Sequence, residues 1–529
     1  MVVTQTVLSV VIEVQPPSAQ LLREHVARLR DAEEASTPKY SRLRQAVPAL
    51  HFMSLTVSPD DAYDPAFVLE ANFDGPPGPF WAQIEAVLGE QLRDMFRCCK
   101  PPQSGAADLF AAVTADGSRA PVAPLLEACT VPPAIFHQGN RGLDRARIDN
   151  EAALFLAARS LADDPALRAM APAAIHARLR TDLLKQFAWL NQTSPARIGT
   201  RESLADWGRL VGFGVLAVVA LCLPAIGLAL VFKTVLLPLL LALAAIHFGL
   251  RLAELNTVEG RCSSLSWLTG VLAVLVLAAD IHNPFAGRHA AAFGAFALIG
   301  DPMASLHPKW FWILVVVLGA VSVVLGLLVW LRLLERADPS QDAPPIDPAV
   351  QRRIASAEDQ TVQNHMISIV HIKPGILRAV LIRAGLRGLG YLLRAMPASR
   401  SGYLGNMRTI HFAHWGIISN GGRLMFHSNY DGSWESYLDD FIEKAHVGLT
   451  LAWTNGVGFP ETRFLINDGA THGRQFKAWA RHSMTESQFW FSAYKDLTVN
   501  QIERQARLAA GLRKATLTPQ EAATWLLDL

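Results

Sequence analysis

Four stretches in the middle of the chain carry no charged residue: 210–232 (23 residues), 234–250 (17), 265–279 (15) and 310–331 (22). A helix needs about 20 residues to cross a hydrocarbon core of roughly 30 Å. The first and last runs meet that length alone, and the second and third meet it with their flanking residues. Four spans are expected, or three if the 15-residue run is a core helix of a soluble region. The composition fits: 51% of the 529 residues are hydrophobic and only 18% charged, and the excess is concentrated in these runs. That excludes a disordered chain. A net charge of +2 gives no global basic field, so no nucleic-acid partner is expected.

The flanking cations orient the segment. Arg197, Arg201, Arg209, Arg251, Arg261, Arg332 and Arg336 fall on one side, against Lys233, Arg288 and Lys309 on the other. By the positive-inside rule both termini are cytoplasmic and the chain is a multi-pass protein of the inner (cytoplasmic) membrane. Residues 1–14 have no basic n-region and read as a strand, so no cleaved signal peptide is expected. The spans hold almost no ionisable group, Asp280 and His282 lying at the end of the third. A transporter needs charged or broken helices at mid-membrane. An anchor is the reading, although Pro224 and Pro238 are able to interrupt the first two spans. Five cysteines without metal-ligand spacing point to a reducing compartment and no zinc site.

The regions on either side of the membrane segment repeat one pattern. In the first, a strand at 7–14 and a helix at 18–35 lead to His51-Phe52 opening a second strand. A third strand ends Asn72-Phe73-Asp74-Gly75 before another helix. In the second, a strand at 366–372 and a helix at 375–393 lead to His411-Phe412, and the next strand ends Asn429-Tyr430-Asp431-Gly432. Downstream, Ile135-Phe136-His137 precedes Ile148-Asp149-Asn150-Glu151-Ala152-Ala153-Leu154, as Trp490-Phe491-Ser492 precedes Ile502-Glu503-Arg504-Gln505-Ala506-Arg507-Leu508. The shared order is that of a duplicated ferredoxin-like unit.

The expected fold class is therefore α+β: two ferredoxin-like units forming a pseudo-dimer, with an inserted bundle of about four transmembrane helices. The units cover 1–180 and 361–529, with linkers at 181–207 and 336–360 around the membrane segment at 208–335. In this order of elements and in the Asp431-Gly432 pair, the chain resembles the dimeric α+β barrel superfamily, in particular its dye-decolorising peroxidase-like group. That resemblance implies haem between sheet and helices of the second unit, a proximal histidine, a distal aspartate and a distal arginine. The family's motif is G-x-x-D-G; Ser428 stands where its first glycine would be. Asp431 is the candidate proton shuttle and Arg481 the candidate arginine, with His411, His446 and His482 as candidate haem ligands.

Each has an ordinary reading beside it. Asp74 and Asp431 also suit an Asp-Gly turn, His51 and His411 an interface between units, and His482 the end of a helix whose carbonyls it would satisfy. The helix at 375–394 carries Arg378, Arg383, Arg387 and Arg394 and no acid. It is read either as facing an anionic leaflet or as a core helix with solvated arginines. No phosphate-loop, nucleophile-elbow, zinc-protease or calcium-loop motif is present. Two functions follow: a membrane-anchored peroxidase-like oxidoreductase on a lipophilic substrate, with the haem that the resemblance implies, or a non-catalytic module binding membrane lipid or a protein.

Overall fold

Strands form where β-branched and aromatic residues cluster between turn signals. In the computed structural model they are β1 (Gln5–Glu13), β2 (Leu50–Val57), β3 (Ala66–Asp74), β4 (Thr130–Val131), β5 (Ile135–Gln138), β6 (Gln363–His371), β7 (Ile410–Ile418), β8 (Arg423–Asp431), β9 (Thr462–Arg463), β10 (Asn467–Asp468), β11 (Met484–Thr485) and β12 (Phe489–Ser492). The described residues are all but 1–3, 35–40, 60–61, 104, 195, 232–235, 258, 282–307, 340–347, 359–360 and 397–406. They divide into a soluble unit (Met1–Trp207, Asp342–Phe459, Ala470–Leu529) and an apolar helical unit (Gly208–Gln341, Pro460–Gly469).

The soluble unit holds two antiparallel five-stranded sheets, ordered β12-β2-β3-β1-β4 and β11-β6-β8-β7-β5. Matching β1 through β5 to β6, β7, β8, β11 and β12 makes the two orders identical, except that each half gives its fifth strand to the other sheet. Phe489 to Ser492 pair with Leu55 to Phe52, and Ile135 to Gln138 pair with Trp415 to Phe412. Every residue of β2 and β8 is buried. A strand covered on both faces has no solvent side, so the polar residues of β2 and β8, His51, Ser54, His427 and Asn429 among them, are buried as well.

Helices cover the outer faces. In the first half α1 (Ala19–Glu34) and α2 (Pro77–Arg97) enclose a core that includes Phe73, Phe80, Trp81 and Phe96. After α3 (Arg145–Ala162) come the helices of the apolar unit, α4 (Thr200–Val231), α5 (Leu236–Leu255), α6 (Ser264–Ile281) and α7 (Pro308–Ala337). The second half adds α8 (Ile376–Ala395), α9 (Trp434–Trp453), α10 (Gly473–Ser483) and α11 (Val499–Arg513). Its core packs Trp415, Phe426, Tyr437, Phe441, Trp453 and Trp479, each large side chain contributing about 1.5–3 kcal/mol by burial. Between the inner faces lies a thinner apolar layer of Ala66, Val68, Ile367, Ile418 and Met425.

Among the described residues three helices are long and apolar enough to cross a membrane, Thr200–Leu228, Leu236–Leu255 and Trp310–Ala337; Ser264–Ala278 is apolar but shorter. Pro224 lies inside α4, which continues through it. Pro238 sits in the first turn of α5, where a missing N–H costs nothing. Gly319 lets α7 approach α4, since a Cβ there would stand 2.1 Å from that of Ala225. Ser322 Oγ donates to Leu241 O at 2.8 Å and His247 Nδ1 to Ser266 O at 2.9 Å, tying α7 to α5 and α5 to α6. Lys233, His282 and Arg288 lie outside the described residues.

Candidate metal centre

Strand alternation aims Glu70 and Asn72 of β3 across the gap between the sheets, toward His427 and Asn429 of β8. Glu70 and His427 are each the fifth residue of their strand, so the two sheets set an acid opposite an imidazole. The Glu70 carboxylate is wholly buried. Its Oε2 lies 3.3 Å from His365 Nε2 and 3.7 Å from His427 Nδ1, and its Oε1 lies 3.9 Å from His414 Nδ1. The potential ligand atoms of Glu70, His365 and His427 all fall within 4.8 Å of one another.

The surrounding groups hold these side chains. Ser54 Oγ donates to Glu70 Oε2 at 3.0 Å, Asn72 Nδ2 to Oε1 at 2.5 Å and Asn429 Nδ2 to Oε1 at 3.3 Å. Asn429 Oδ1 in turn accepts from Trp490 Nε1 at 2.8 Å, which fixes its amide orientation. Two imidazoles are turned by a serine on their far nitrogen: His414 Nε2 meets Ser9 Oγ at 2.8 Å and His365 Nδ1 meets Ser487 Oγ at 3.0 Å. Each thereby points its other nitrogen at Glu70, the arrangement by which outer partners orient histidine ligands. His427 stacks on His414 with ring centroids 4.8 Å apart. Both nitrogens of His427 and His414 Nδ1 have no hydrogen-bond partner among the described residues, and His365 Nε2 faces only Glu70.

Burial pushes the Glu70 carboxyl up. The hydrogen bond with His365 and the charges of His427, His365 and His414 outweigh it, and the group is held well below the usual carboxylate range. Burial pushes His414 down to about 4 and His427 well below the ordinary imidazole value. At neutral pH the pocket thus presents a carboxylate and the neutral imidazoles of His414 and His427. An uncompensated buried anion costs several kcal/mol, and this is the protonation state a divalent metal ion needs.

A second pair of polar sites explains the repeated sequence motifs. At residues 51 and 411 the ladder slips by one residue, between Leu50 and Phe52 and between Ile410 and Phe412. Simple alternation places His411 with Ala413 and Trp415, on the face away from Asp431. The slip instead turns His411 to Asp431 (Nε2 to Oδ1, 2.7 Å) and His51 to Asp74 (3.0 Å). The other carboxylate oxygen accepts the first backbone N–H of a helix further along the chain: Val499 N of α11 at 2.8 Å for Asp431 and Arg145 N of α3 at 2.7 Å for Asp74. The His-Phe and Asn-x-Asp-Gly motifs are therefore a strand-to-helix clamp, made once in each half.

The other candidate residues lie apart. Arg481 is buried, paired with both oxygens of Glu358 (2.9 and 3.2 Å), with its guanidinium 3.9 Å from the Trp434 ring centre. His446 is half-buried beside the irregular Ala445 in α9, and His482 is exposed at the end of α10. Asp431, Arg481, His411, His446 and His482 do not converge on one cavity among the described residues. The space between the second sheet and its helices is filled by aromatic rings, leaving a hollow of about 20 Å³. A macrocycle does not fit there. Of the α8 cations, Arg383 and Arg387 are exposed, whereas Arg378 is 2% exposed and Arg394 pairs with Asp206 and Glu202, both at 3.1 Å. Those two are not surface charges because the helix packs that face.

The sequence reading passed over Glu70, His365, His414 and His427. The available signal was the alternation Glu70-x-Asn72-x-Asp74 and His427-x-Asn429-x-Asp431, polar residues on one face of strands that are otherwise apolar. Compared with family models, curated proteins and solved structures, the chain finds no match.

Proposed function

We propose that the chain is a membrane-anchored metalloprotein of the oxidoreductase class. Its divalent ion is held between the two sheets by Glu70, His365 and His427, with His414 as fourth donor. The observation that carries this is a wholly buried carboxylate faced by imidazole nitrogens that bond to nothing else. One carboxylate with several imidazoles suits iron(II) or manganese(II), which accept further ligands and exchange electrons. The oxidoreductase activity first expected of the resemblance is kept on this reading, with a non-haem ion in place of haem. The two halves are read as ferredoxin-like units paired as a pseudo-dimer, supported by their identical strand order.

Exchange of β5 and β12 also bears on the membrane. The strands interleave within one folded unit, so both halves must lie on the same side of the bilayer. An odd number of crossings would separate them. Four crossings, with α6 extended by its flanks and both soluble regions cytoplasmic, reconcile this with the excess of arginines on that side.

Elemental analysis of the full chain purified in detergent, after exposure to iron(II), manganese(II) and zinc(II), tests the centre. About one equivalent of iron or manganese is expected, lost in Glu70→Gln and His427→Ala and kept in His482→Ala. Retention of zinc alone would remove the redox assignment, and retention of no ion would remove the centre. A haem absorption band in the same preparation that disappears with His411→Ala would restore the haem peroxidase.

A further inference from the structure

Each half crosses from one sheet to the other through a three-residue link, and the two links differ. The link from β11 to β12 is Glu486-Ser487-Gln488, and it is sealed. Ser487 Oγ accepts from Thr56 Oγ1 at 3.0 Å and meets His365, while Gln488 Oε1 accepts from Val57 N at 2.7 Å. The equivalent link from β4 to β5 is Pro132-Pro133-Ala134, without a polar side chain. Beside it a cleft of about 990 Å³ opens between the sheets, at the upper end of the size range of small-molecule sites.

The cleft is apolar below and cationic above. Val11, Ala66 and Ile418 line its depth, where they are the near end of the apolar layer between the sheets. Lys100, Arg383, Arg387, Arg394 and Arg423 line it as well, against the one carboxylate of Glu13. Lys100 is engaged with Asp64, and Arg394 with Asp206 and Glu202. Arg383 and Arg387 stand one helical turn apart on α8. Among the described residues neither meets a carboxylate, Arg383 donating only to Ala379 O of its own helix at 3.0 Å. Like charges at this spacing destabilise a helix, and an anion shared between them reverses the sign.

We propose that this cleft binds a phosphate-bearing amphiphile, with the phosphate between Arg383 and Arg387 and the apolar portion against Val11, Ala66 and Ile418. Guanidinium pairs suit phosphate through parallel hydrogen bonds, and the apolar depth distinguishes a lipid-like ligand from a free ion. Charge, volume and the unsealed link carry the assignment, and none of them depends on the metal centre.

Calorimetric titration of the detergent-purified full chain tests it, using dihexanoyl phosphatidic acid, dihexanoyl phosphatidylcholine and inorganic phosphate. Saturable binding of the phosphatidic acid is expected, weakened about tenfold or more in Arg383→Gln/Arg387→Gln, which removes both charged donors. The same affinity as the parent is expected in Arg178→Gln/Lys185→Gln, two exposed cations elsewhere. Equal binding of inorganic phosphate would show that the apolar depth contributes nothing and overturn the amphiphile. Equal binding of the phosphatidylcholine, or an affinity unchanged in the Arg383/Arg387 variant, would overturn the arginine site.

Discussion

Asp431 makes two bonds at once, to His411 and to Val499 N; Asp74 accepts from Arg145 N and has His51 Nε2 at 3.0 Å from its other oxygen. Replacing either by asparagine weakens its charge-assisted bonds and leaves a buried imidazole without its anion. Asp431→Asn is expected to destabilise the soluble unit by about 1–3 kcal/mol, read as a lower unfolding temperature in detergent, and Asp74→Asn by a similar amount. Metal content is expected to stay near that of the parent, because neither aspartate belongs to the Glu70 cluster. Were Asp431 instead an acid over a reacting peroxide, its asparagine variant would unfold as the parent does and lose only activity. Thermal unfolding and elemental analysis of one preparation separate the two roles.

The exchanged strands set the behaviour of larger pieces. A second half expressed alone presents the unpaired edge of β7, which Ile135 to Gln138 cover in the intact chain. A first half alone lacks the strand at Phe489 to Ser492 that covers β2. Exposed edges of this kind are templates for aggregation. Residues 348–529 produced alone are expected to be insoluble or associated, and to become soluble when co-produced with residues 1–339. Recovery of 348–529 alone as a monodisperse folded species would contradict the exchange. The same elements account for the buried charges: Arg481 is held by Glu358, and Arg141 by Glu202 and Asp206 at the start of α4.

For the whole soluble unit the buried histidines set the pH response. Burial lowers His414 to about 4, His137 to about 3 and His427 well below its ordinary value. Unfolding returns all three to about 6.5, so between roughly pH 6.5 and 4 the unfolded chain binds more protons than the folded one. Stability therefore rises with pH across that window and is lost as pH falls through it. Glu70, held below the usual carboxylate range, contributes stability above the unfolded carboxylate value near 4.5 and loses it only in strong acid. The metal-free protein's unfolding temperature is expected to climb from pH 4.5 to 6.5 and then flatten, with a shallower climb in His414→Asn. A profile that is flat over that range, or that falls, would refute the assignment of neutral buried imidazoles.

The sequence by itself determined the membrane runs, the repeat and the α+β class, because each is written in local periodicity or in the order of short motifs. Hydropathy over about 20 residues needs no partner to be read, and a duplication preserves order whatever the chain packs against. It also marked His411 and Asp431, whose spacing recurs with that of His51 and Asp74. What those residues do was not legible, since one extra residue in each strand reverses the face of a histidine and nothing local announces the slip. Only the tertiary structure brought together Glu70, His365, His414 and His427, as much as 357 positions apart in the chain. Each is unremarkable in its own strand. The cluster forms because two sheets face each other and exclude the water that would otherwise satisfy those nitrogens.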